Sequence, residues 1–316
     1  MSLTNDEHKN IVIAVHIAGK GLQCAAIDLT SKAVLPNSLV TAKVDKDASN
    51  RHIIPSWSLN IKKCLSKVDI NKVVGIGFSI PGPFDYENGI ADFEGVPKFE
   101  QLKGLNISKE LNRRLMLDYD LEIRYVNDAV GFSIGQNWVS KSNAGRELIL
   151  IIDSGFGSCF LIDDLPAFEG HGIPLGGSLY AKPFQTGTAD DIFSTRGILN
   201  SLSSKGCPIL LTDEGTIRAA YNNAKGLQVF EEFGSNLGDF MAPFVADFKP
   251  NSISLGGLIG SHPDLFTATF GKVLESKGGR RITIKSGGDQ SFLLGAARLF
   301  ENSYWQHLTP LFSKME

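Results

Sequence analysis

Short apolar runs, separated by glycine or polar residues, open the chain and predict strands. Three such runs follow one another at 11–15, 23–29 and 34–40. Apolar residues at helical spacing then predict a helix at 53–67. The continuous apolar run at 73–80 is typical of a strand that is buried on both faces.

The rest of the chain shows a related order of elements. A helix-then-strand pattern occupies 107–126, and strand, turn and strand signals follow at 148–153, 155–157 and 158–162. The later predicted elements are a helix at 230–248, a strand at 252–255 and a helix at 290–300. Both halves therefore open with a strand, a turn and a strand, which indicates an α/β class with a structural duplication.

Length and charge narrow the class of protein. The chain has 316 residues, which is more than one hydrophobic core usually serves, so two domains are expected. A net charge of -3 without long runs of one sign offers no basic surface for nucleic acid and no polybasic patch for a membrane. The polar residues 1–10 and the breaks in the following apolar run lack the pattern of a secretion signal, so we expect a cytoplasmic protein.

The cysteines add no metal or disulfide signal. They are far apart and mostly in apolar surroundings, at Cys24, Cys64, Cys159 and Cys207. This spacing predicts reduced core thiols rather than a disulfide framework or a zinc site.

One candidate for catalysis stands where a predicted strand ends. Asn127 and Asp128 follow the apolar run at 123–126, and the Gly/Pro turn Pro81–Gly82 follows the strand at 73–80. A carboxylate at the end of a strand, facing a turn that can lie close to a polyol, is placed to take a proton from a hydroxyl group. These residues also have simpler interpretations: Asn-Asp can be a helix N-cap and the Pro-Gly-Pro sequence an ordinary turn.

Four segments together resemble the ROK family, which includes sugar kinases and repressors. They are 75–83 (GIGFSIPGP), 126–129 (VNDA), 153–157 (DSGFG) and 254–257 (SLGG), and they occur in the family's order. The resemblance covers nearly the whole chain. It implies an actin-like, ribonuclease H-like duplicated α/β fold, in which two domains flank a central cleft. The implied domains are residues 1–127, joined by a C-terminal helix at about 289–316, and residues 128–288.

The same resemblance implies roles for particular residues. Asp128 matches the general base that takes the proton from the sugar hydroxyl. The implied sugar-binding residues are Pro81, Gly82, Asn127, Asp128 and Asp190. The implied nucleotide-binding residues are Gly19, Lys20, Ser154, Gly155, Gly157, Gly256 and Gly257. The resemblance further implies ATP and Mg²⁺ as cofactors, a sugar as the small-molecule partner, and a homodimer. For Asp190 a capping role at a helix N-terminus is the alternative, and Gly256–Gly257 can be a close backbone crossing.

The chain departs from the family at the phosphates of ATP. The family's Asp-x-Gly-Gly-Thr turn between the first two strands has His16, Ala18 and Lys20 in place of Asp, the first Gly and Thr. Mg²⁺ prefers oxygen ligands, so a histidine is a poor replacement for the aspartate. Asp153 replaces the first Gly of the second phosphate loop and brings a negative charge towards a polyphosphate. Lys20 offers a compensating positive charge, or it is a solvated turn residue.

The zinc motif of the family is also missing. Where the family has Gly-Glu-x-Gly-His, the residues 175–180 read LGGSLY, so Gly177 replaces the Glu and Tyr180 the His, and no cysteine cluster follows. The sequence therefore predicts no zinc and names no metal ligand.

Two functions remain open at the level of sequence. The first is an ATP-dependent kinase for a hexose or an amino sugar, with Asp128 as the base. The second is a catalytically impaired pseudokinase that binds sugar or nucleotide as a regulatory module. A repressor is disfavoured because no helix-turn-helix precedes the first predicted strand.

Overall fold

The computed structural model describes residues 9–18, 21–45, 47–93, 99–140, 145–278, 281–288 and 290–315. The chain forms two compact units. Unit 1 consists of Met1–Ser142 and Gln290–Glu316, and unit 2 consists of Asn143–Asp289. In the described ranges, no helix combines the length and the apolar character needed to cross a membrane.

Groups of strands and groups of helices follow one another along the chain. The strands are β1 (Ile11–Ala18), β2 (Gly21–Asp28), β3 (Ala33–Val34), β4 (Val40–Ala42), β5 (Val73–Ile80), β6 (Phe84–Asp85), β7 (Ile90–Ala91), β8 (Glu122–Asn127), β9 (Arg146–Ile152), β10 (Phe156–Ile162), β11 (Leu165–Pro166), β12 (Pro183–Phe184), β13 (Gly187–Thr188), β14 (Ser252–Gly256) and β15 (Thr283–Ser286). The α-helices are α1 (Asn50–Leu65), α2 (Ile107–Leu115), α3 (Asp128–Ser140), α4 (Ala189–Phe193), α5 (Thr195–Ser204), α6 (Glu214–Tyr221), α7 (Ala224–Phe248), α8 (Gly257–Gly260), α9 (Thr267–Ser276), α10 (Ser291–Arg298) and α11 (Asn302–Leu308). Short 3-10 helices lie at Ile70–Lys72, Glu100–Leu102, Leu175–Gly177, Pro263–Leu265 and Thr309–Lys314.

The two units share one strand pattern. In unit 1 the sheet runs β3-β2-β1-β5-β8, with β1 and β2 antiparallel and β1, β5 and β8 parallel. In unit 2 it runs β11-β10-β9-β14-β15, with β9 and β10 antiparallel and β9, β14 and β15 parallel. An antiparallel hairpin followed by two parallel strands thus occurs twice, as the sequence pattern indicates.

Helix α10 completes unit 1 by packing backbone against backbone. A methyl group on Gly295 would collide with the carbonyl oxygen of Gly131 in α3, and one on Gly135 would collide with the Ser291 carbonyl oxygen. A methyl group on Gly77 of β5 would likewise collide with the Ala296 carbonyl oxygen. Such close approach is open only to residues without a Cβ atom. The glycines of α3, α10 and β5 therefore fix how the C-terminal segment seats on unit 1.

The cores of both units are rich in aromatic residues. In unit 1 the Trp57 ring packs against Phe78 and Phe99 at centroid distances of 6.3 and 5.7 Å. In unit 2 Phe193 packs against Phe156 and Phe240 at 5.4 and 5.2 Å. Large buried rings contribute much of the apolar area that stabilises a fold, and here they hold the sheets on which the candidate site residues lie.

Most predicted elements are present, with one clear correction. The strand predicted at 34–40 is wrong as a single element: β3 ends at Val34, β4 begins at Val40, and both pair with β2. Pro36 lacks an amide hydrogen and Asn37 has a φ of 61°, so the chain turns between them. The long helix predicted at 230–248 begins earlier, at Ala224, because the Asn223 side chain caps it.

The boundary between the two units lies beyond α3. This helix follows β8 and packs on α10, so it belongs to unit 1, and the units divide between residues 142 and 143. The C-terminal segment from Gln290 belongs to unit 1 as well. The domain bounds predicted from the sequence, 1–127 with about 289–316 and 128–288, stay a prediction.

Candidate functional site

The sugar-side residues predicted in unit 1 meet at one edge of its sheet. Strands β5 and β8 are parallel, and Ile80 lies opposite Asn127. Pro81–Gly82 and Asn127–Asp128 therefore leave neighbouring strands at the same carboxyl edge, where ligands commonly bind in α/β sheets. The structure thus brings together the two segments in unit 1 that the sequence singled out.

Asn127 and Asp128 begin helix α3. The Oδ1 atom of Asn127 accepts hydrogen bonds from the amides of Ala129 and Val130 at 2.9 and 3.4 Å. The Oδ1 atom of Asp128 accepts from the Ala129 amide at 2.8 Å. Within the described residues Asp128 Oδ2 accepts no hydrogen bond. The capping interpretation thus accounts for Asn127 and for one oxygen of Asp128, and the second oxygen remains available to a ligand.

Tyr86 holds the Asn127 side chain in place, a role that was not predicted from the sequence. Its hydroxyl is buried and accepts a hydrogen bond from Asn127 Nδ2 at 3.2 Å. Burial raises the pKa of Tyr86 above its usual range, the Asn127 hydrogen bond lowers it, and the negative charge of Asp128 raises it. No local sequence signal marks this tyrosine, because its contact spans 41 positions along the chain.

Replacing Tyr86 with phenylalanine is expected to weaken sugar binding as well as stability. The variant loses two hydrogen bonds, the one from Asn127 Nδ2 and a long one that the hydroxyl donates to the Ile80 carbonyl oxygen at 3.4 Å, so the free energy of unfolding should fall by about 1–2 kcal/mol. It also leaves Asn127 Nδ2 without this partner, so the side chain is held less firmly. Tyr125→Phe is the matched control, because its buried hydroxyl bonds the Ser108 hydroxyl at 2.9 Å. Urea denaturation should show a loss of stability for both variants, while calorimetry with sugar should show a loss of affinity only for Tyr86→Phe. Equal sugar affinities would contradict the supporting role.

Strand β1 carries the residue at the family's aspartate position, next to β5 in the unit 1 sheet. His16 lies opposite Ser79 of β5 in the parallel pairing. Its ring is buried and stacks on Phe292 of α10, with centroids 4.0 Å apart and planes 13° apart. Gly19 and Lys20 lie outside the described residues. The residue at the family's aspartate position is therefore packed into unit 1 as an aromatic ring.

In unit 2 the predicted phosphate loop is bound by its own aspartate. Asp153 Oδ1 accepts a hydrogen bond from the Ser154 amide at 2.6 Å, and Oδ2 accepts one from the Leu258 amide at 2.9 Å. The Leu258 amide lies in the first turn of α8, which directly follows β14. One carboxylate thus occupies a donor in the segment 153–157 and a donor directly after the segment 254–257, the two segments that the resemblance assigns to the nucleotide.

The other predicted nucleotide residues surround this turn. Gly157 of β10 and Gly256 of β14 both lie opposite Ile151 of β9, one on each side. Gly257 has a φ of 82°, and a Cβ atom there would lie 2.7 Å from the Ile152 carbonyl oxygen, so only glycine fits without strain. The interpretation of Gly256–Gly257 as a close backbone crossing is therefore correct for Gly257.

Asp190 is engaged with the same turn. Its Oδ1 accepts a hydrogen bond from the Phe156 amide at 2.7 Å, and its Oδ2 accepts one from Arg196 at 2.9 Å. The neighbouring Asp191 forms a capping box with Thr188, and hydrogen bonds from Thr188, with the Arg196 charge, lower the pKa of Asp191. Both oxygens of Asp190 thus already have partners, so its contact with a sugar stays a prediction. Arg196 was not assigned a role from sequence.

The segment 175–180, which aligns with the family's zinc motif, is fixed by a positive backbone φ angle and by hydrogen bonds to Ser158. Gly177 has a φ of 67°, which disfavours a glutamate at this position. The Ser158 hydroxyl donates to the Gly177 carbonyl oxygen at 3.1 Å and accepts from the Leu179 amide at 3.0 Å, which holds the segment on β10. Within the described residues, no group of three or more His, Cys, Asp and Glu side chains could hold a metal ion. The absence of zinc stays a prediction.

Comparison with known proteins identifies the family. The ROK family model matches residues 12–303. The chain belongs to the ROK family. A search of curated proteins found no match to this ROK protein.

Solved ROK structures share its fold at low sequence identity. The ROK hexokinase from Thermus thermophilus has a TM-score of 0.70 at 16% identity, over 94% of this chain and 99% of its own. The ROK glucokinase from Streptomyces griseus, solved with glucose and AMPPNP, has a TM-score of 0.71 at 16% identity, over 92% and 99%. A ROK family transcriptional regulator, a homologue of the E. coli MLC protein, has a TM-score of 0.75 at 15% identity, over 96% and 80%.

These similarities confirm the predicted family and the actin-like sugar kinase fold. At such identities they show the fold alone, and kinases and a transcriptional regulator share it. The activity must therefore be argued from the residues of this chain.

Proposed function

We propose that this ROK protein binds a hexose or an amino sugar at the carboxyl edge of the unit 1 sheet and does not transfer phosphate to it. It is a pseudokinase whose bound sugar serves as a signal. The observation that carries this proposal is the carboxylate of Asp153, which accepts hydrogen bonds from both Ser154 and Leu258. The Ser154 amide belongs to one of the two segments that resemble the nucleotide-binding segments of the family, and the Leu258 amide directly follows the other, 254–257.

The sugar half of the proposal rests on unit 1. Asn127, Asp128 and the Pro81–Gly82 turn lie at adjacent strand ends, and Tyr86 holds the Asn127 side chain. A carboxylate oxygen without a protein partner is a strong acceptor for a sugar hydroxyl. These polar groups support the proposed sugar site in this unit.

Electrostatics in unit 2 oppose a bound polyphosphate. Asp153 and Asp190 both accept hydrogen bonds from amides around the β9–β10 turn, at Ser154 and Phe156. A phosphate oxygen at this turn would meet the carboxylate of Asp153 and would find those donors already occupied, whereas the charge of Asp190 is offset by Arg196 at 2.9 Å. Like charges at close range destabilise each other, and the stacked ring of His16 offers Mg²⁺ no carboxylate.

Two measurements on the purified protein test the proposal together. Calorimetry with a panel of hexoses and N-acetylhexosamines is expected to show saturable binding of at least one sugar. A coupled ADP-release assay with the same panel and Mg²⁺-ATP is expected to show no sugar-stimulated turnover. Absence of binding across the panel would contradict the proposal. Turnover that Asp128→Asn abolishes would show that the protein is a sugar kinase instead.

Removing the Asp153 carboxylate should make the amide donors at the predicted nucleotide segment available to a ligand. Asp153→Gly restores the residue type of the family and frees the Ser154 and Leu258 amides, so a thermal shift with Mg²⁺-ATP is expected that the wild type lacks. Loss of a capping carboxylate should lower stability by about 1 kcal/mol. Asp213→Gly is the control, because Asp213 caps α6 through the Thr216 amide. A nucleotide shift in neither variant would show that Asp153 does not block this segment.

The second candidate is an ATP-dependent kinase for a hexose or an amino sugar. It is favoured by Asp128 itself, since its Oδ2 atom is unpartnered within the described residues and can accept the proton of a sugar hydroxyl. In either case we infer from the resemblance that the protein is cytoplasmic and homodimeric. Sedimentation analysis tests the homodimer.

A further inference from the structure

We propose that a cavity between α1 and α2 of unit 1 binds a small phosphate-bearing anion. The cavity has a volume of about 250 Å³ and is lined by three arginines, Arg51, Arg113 and Arg114, and by a single acidic residue, Glu110. None of these residues is part of the proposed sugar or nucleotide segments, so the inference goes beyond the proposed function.

The charge of the cavity fits a dianion. Three arginines against one glutamate leave two net positive charges, in a chain whose total charge is -3. Glu110 Oε2 is taken mainly by Arg113, whose Nη2 atom lies at 2.8 Å. Arg51 forms no ion pair within the described residues. The positive charge here is therefore concentrated locally and not neutralised by the protein.

Arg114 shows that a donor in this region is unsatisfied. Its Nε atom is buried, makes no hydrogen bond within the described residues, and lies 3.8 Å from Glu110 Oε2, beyond hydrogen-bonding distance. Buried donors are rarely left without an acceptor. An anion in the cavity can supply acceptor oxygens to the arginines.

The start of α1 adds backbone donors to the same cavity. The cavity wall includes Asn50, the first residue of α1. The Ser49 side chain forms no capping hydrogen bond, and no acidic residue lies in the first turn. The first amides of a helix favour an anion. Here the His52 and Ile53 amides bond the Ser49 carbonyl oxygen, so the amides of Asn50 and Arg51 are the donors of interest. Arginine forks and helix amides together are suited to the several oxygens of a phosphate group.

The size of the cavity limits the ligand. Its volume lies below the range of about 300–1,000 Å³ that is typical of sites for drug-sized ligands. Ile54 and Leu105 supply an apolar part of the wall. The cavity therefore suits inorganic phosphate or a small phosphate monoester, rather than a nucleotide or a nucleic acid.

Calorimetry on the full chain with Arg51→Gln tests the site. Inorganic phosphate and glucose 6-phosphate are the two titrants. Glucose is titrated as well, to measure binding through the sugar ring without a phosphate group. Saturable binding to the wild type is expected, and Arg51→Gln should weaken it roughly tenfold, as expected for loss of one charge-assisted contact. Arg113→Gln provides a second, independent variant at the surface. The titrant that binds more tightly identifies the source of the phosphate group.

Lys62→Gln is the matched control, because it removes the same charge from the exposed side of α1 without lining the cavity. It should leave the affinity for both titrants unchanged. The proposal is overturned if neither titrant binds saturably to the wild type, or if Lys62→Gln weakens binding as much as Arg51→Gln. Loss of sugar binding in Asp128→Asn with phosphate binding intact would show that the two sites are separate.

Discussion

Gly295→Ala is expected to lower the free energy of unfolding of unit 1 by about 3 kcal/mol, because overpacking is severe where backbones touch. The added methyl group would collide with the Gly131 carbonyl oxygen of α3. Neither helix can move freely, since α10 also packs on β5 at Gly77. Alanine favours a helix over glycine by up to about 1 kcal/mol, so the measured loss is net of this gain.

Tryptophan fluorescence in urea measures this loss within unit 1. The three tryptophans, Trp57, Trp138 and Trp305, all belong to that unit. Gly104→Ala is the control, because a methyl group there meets nothing within 4 Å and the φ of 80° alone should cost about 1 kcal/mol. If both variants lose the same stability, close packing of α3 and α10 is not what requires Gly295.

Asp128→Asn is expected to reduce sugar affinity by about 10- to 100-fold, the loss that follows from removing the charge from one hydrogen-bonded acceptor. Asparagine has nearly the same shape and can keep the hydrogen bond from the Ala129 amide. What changes is Oδ2, the oxygen that has no partner within the described residues. Stability should therefore change little while binding falls, and calorimetry with the best sugar of the panel measures the difference.

The control for this variant is Asp69→Asn. Asp69 is also a capping aspartate of unit 1, accepting from the Asn71 amide at 3.0 Å, but it lies before β5, at the opposite edge of the sheet. The charge change is the same as in Asp128→Asn, and the whole length of β5 separates Asp69 from Pro81–Gly82 along the sheet. Unchanged affinity in Asp128→Asn, or an equal loss in Asp69→Asn, would remove Asp128 from the sugar site.

Local patterns in the sequence predicted the elements that depend on local forces. The strand at 73–80 matches β5, because an eight-residue run that is rich in apolar residues and has no charge has few alternatives to a buried strand. The run at 34–40 failed because its apolar content concealed the turn chemistry of Pro36 and Asn37. Turn residues within an apolar run were the missing signal there.

The candidate site was harder to predict, because its contacts join distant parts of the chain. Motifs located Asp128 and Asp153, but the partner of Asp153 is an amide 105 positions away. Similarly, Asp190 reaches across 34 positions to the Phe156 amide. Sequence alone therefore showed that Asp153 departs from the family, whereas the structure shows which donors its carboxylate occupies.

The return of the C-terminal segment to unit 1 has a consequence for synthesis on the ribosome. Unit 2 is continuous in sequence, so all of it has been made before α10 emerges. The N-terminal part of unit 1 is made first, yet its strand β5 and helix α3 wait for α10 to cover them. Domains generally fold as units in the order of their synthesis. In this protein we expect the later unit to fold first, while the nascent N-terminal sheet remains open to chaperones until α10 has been synthesised.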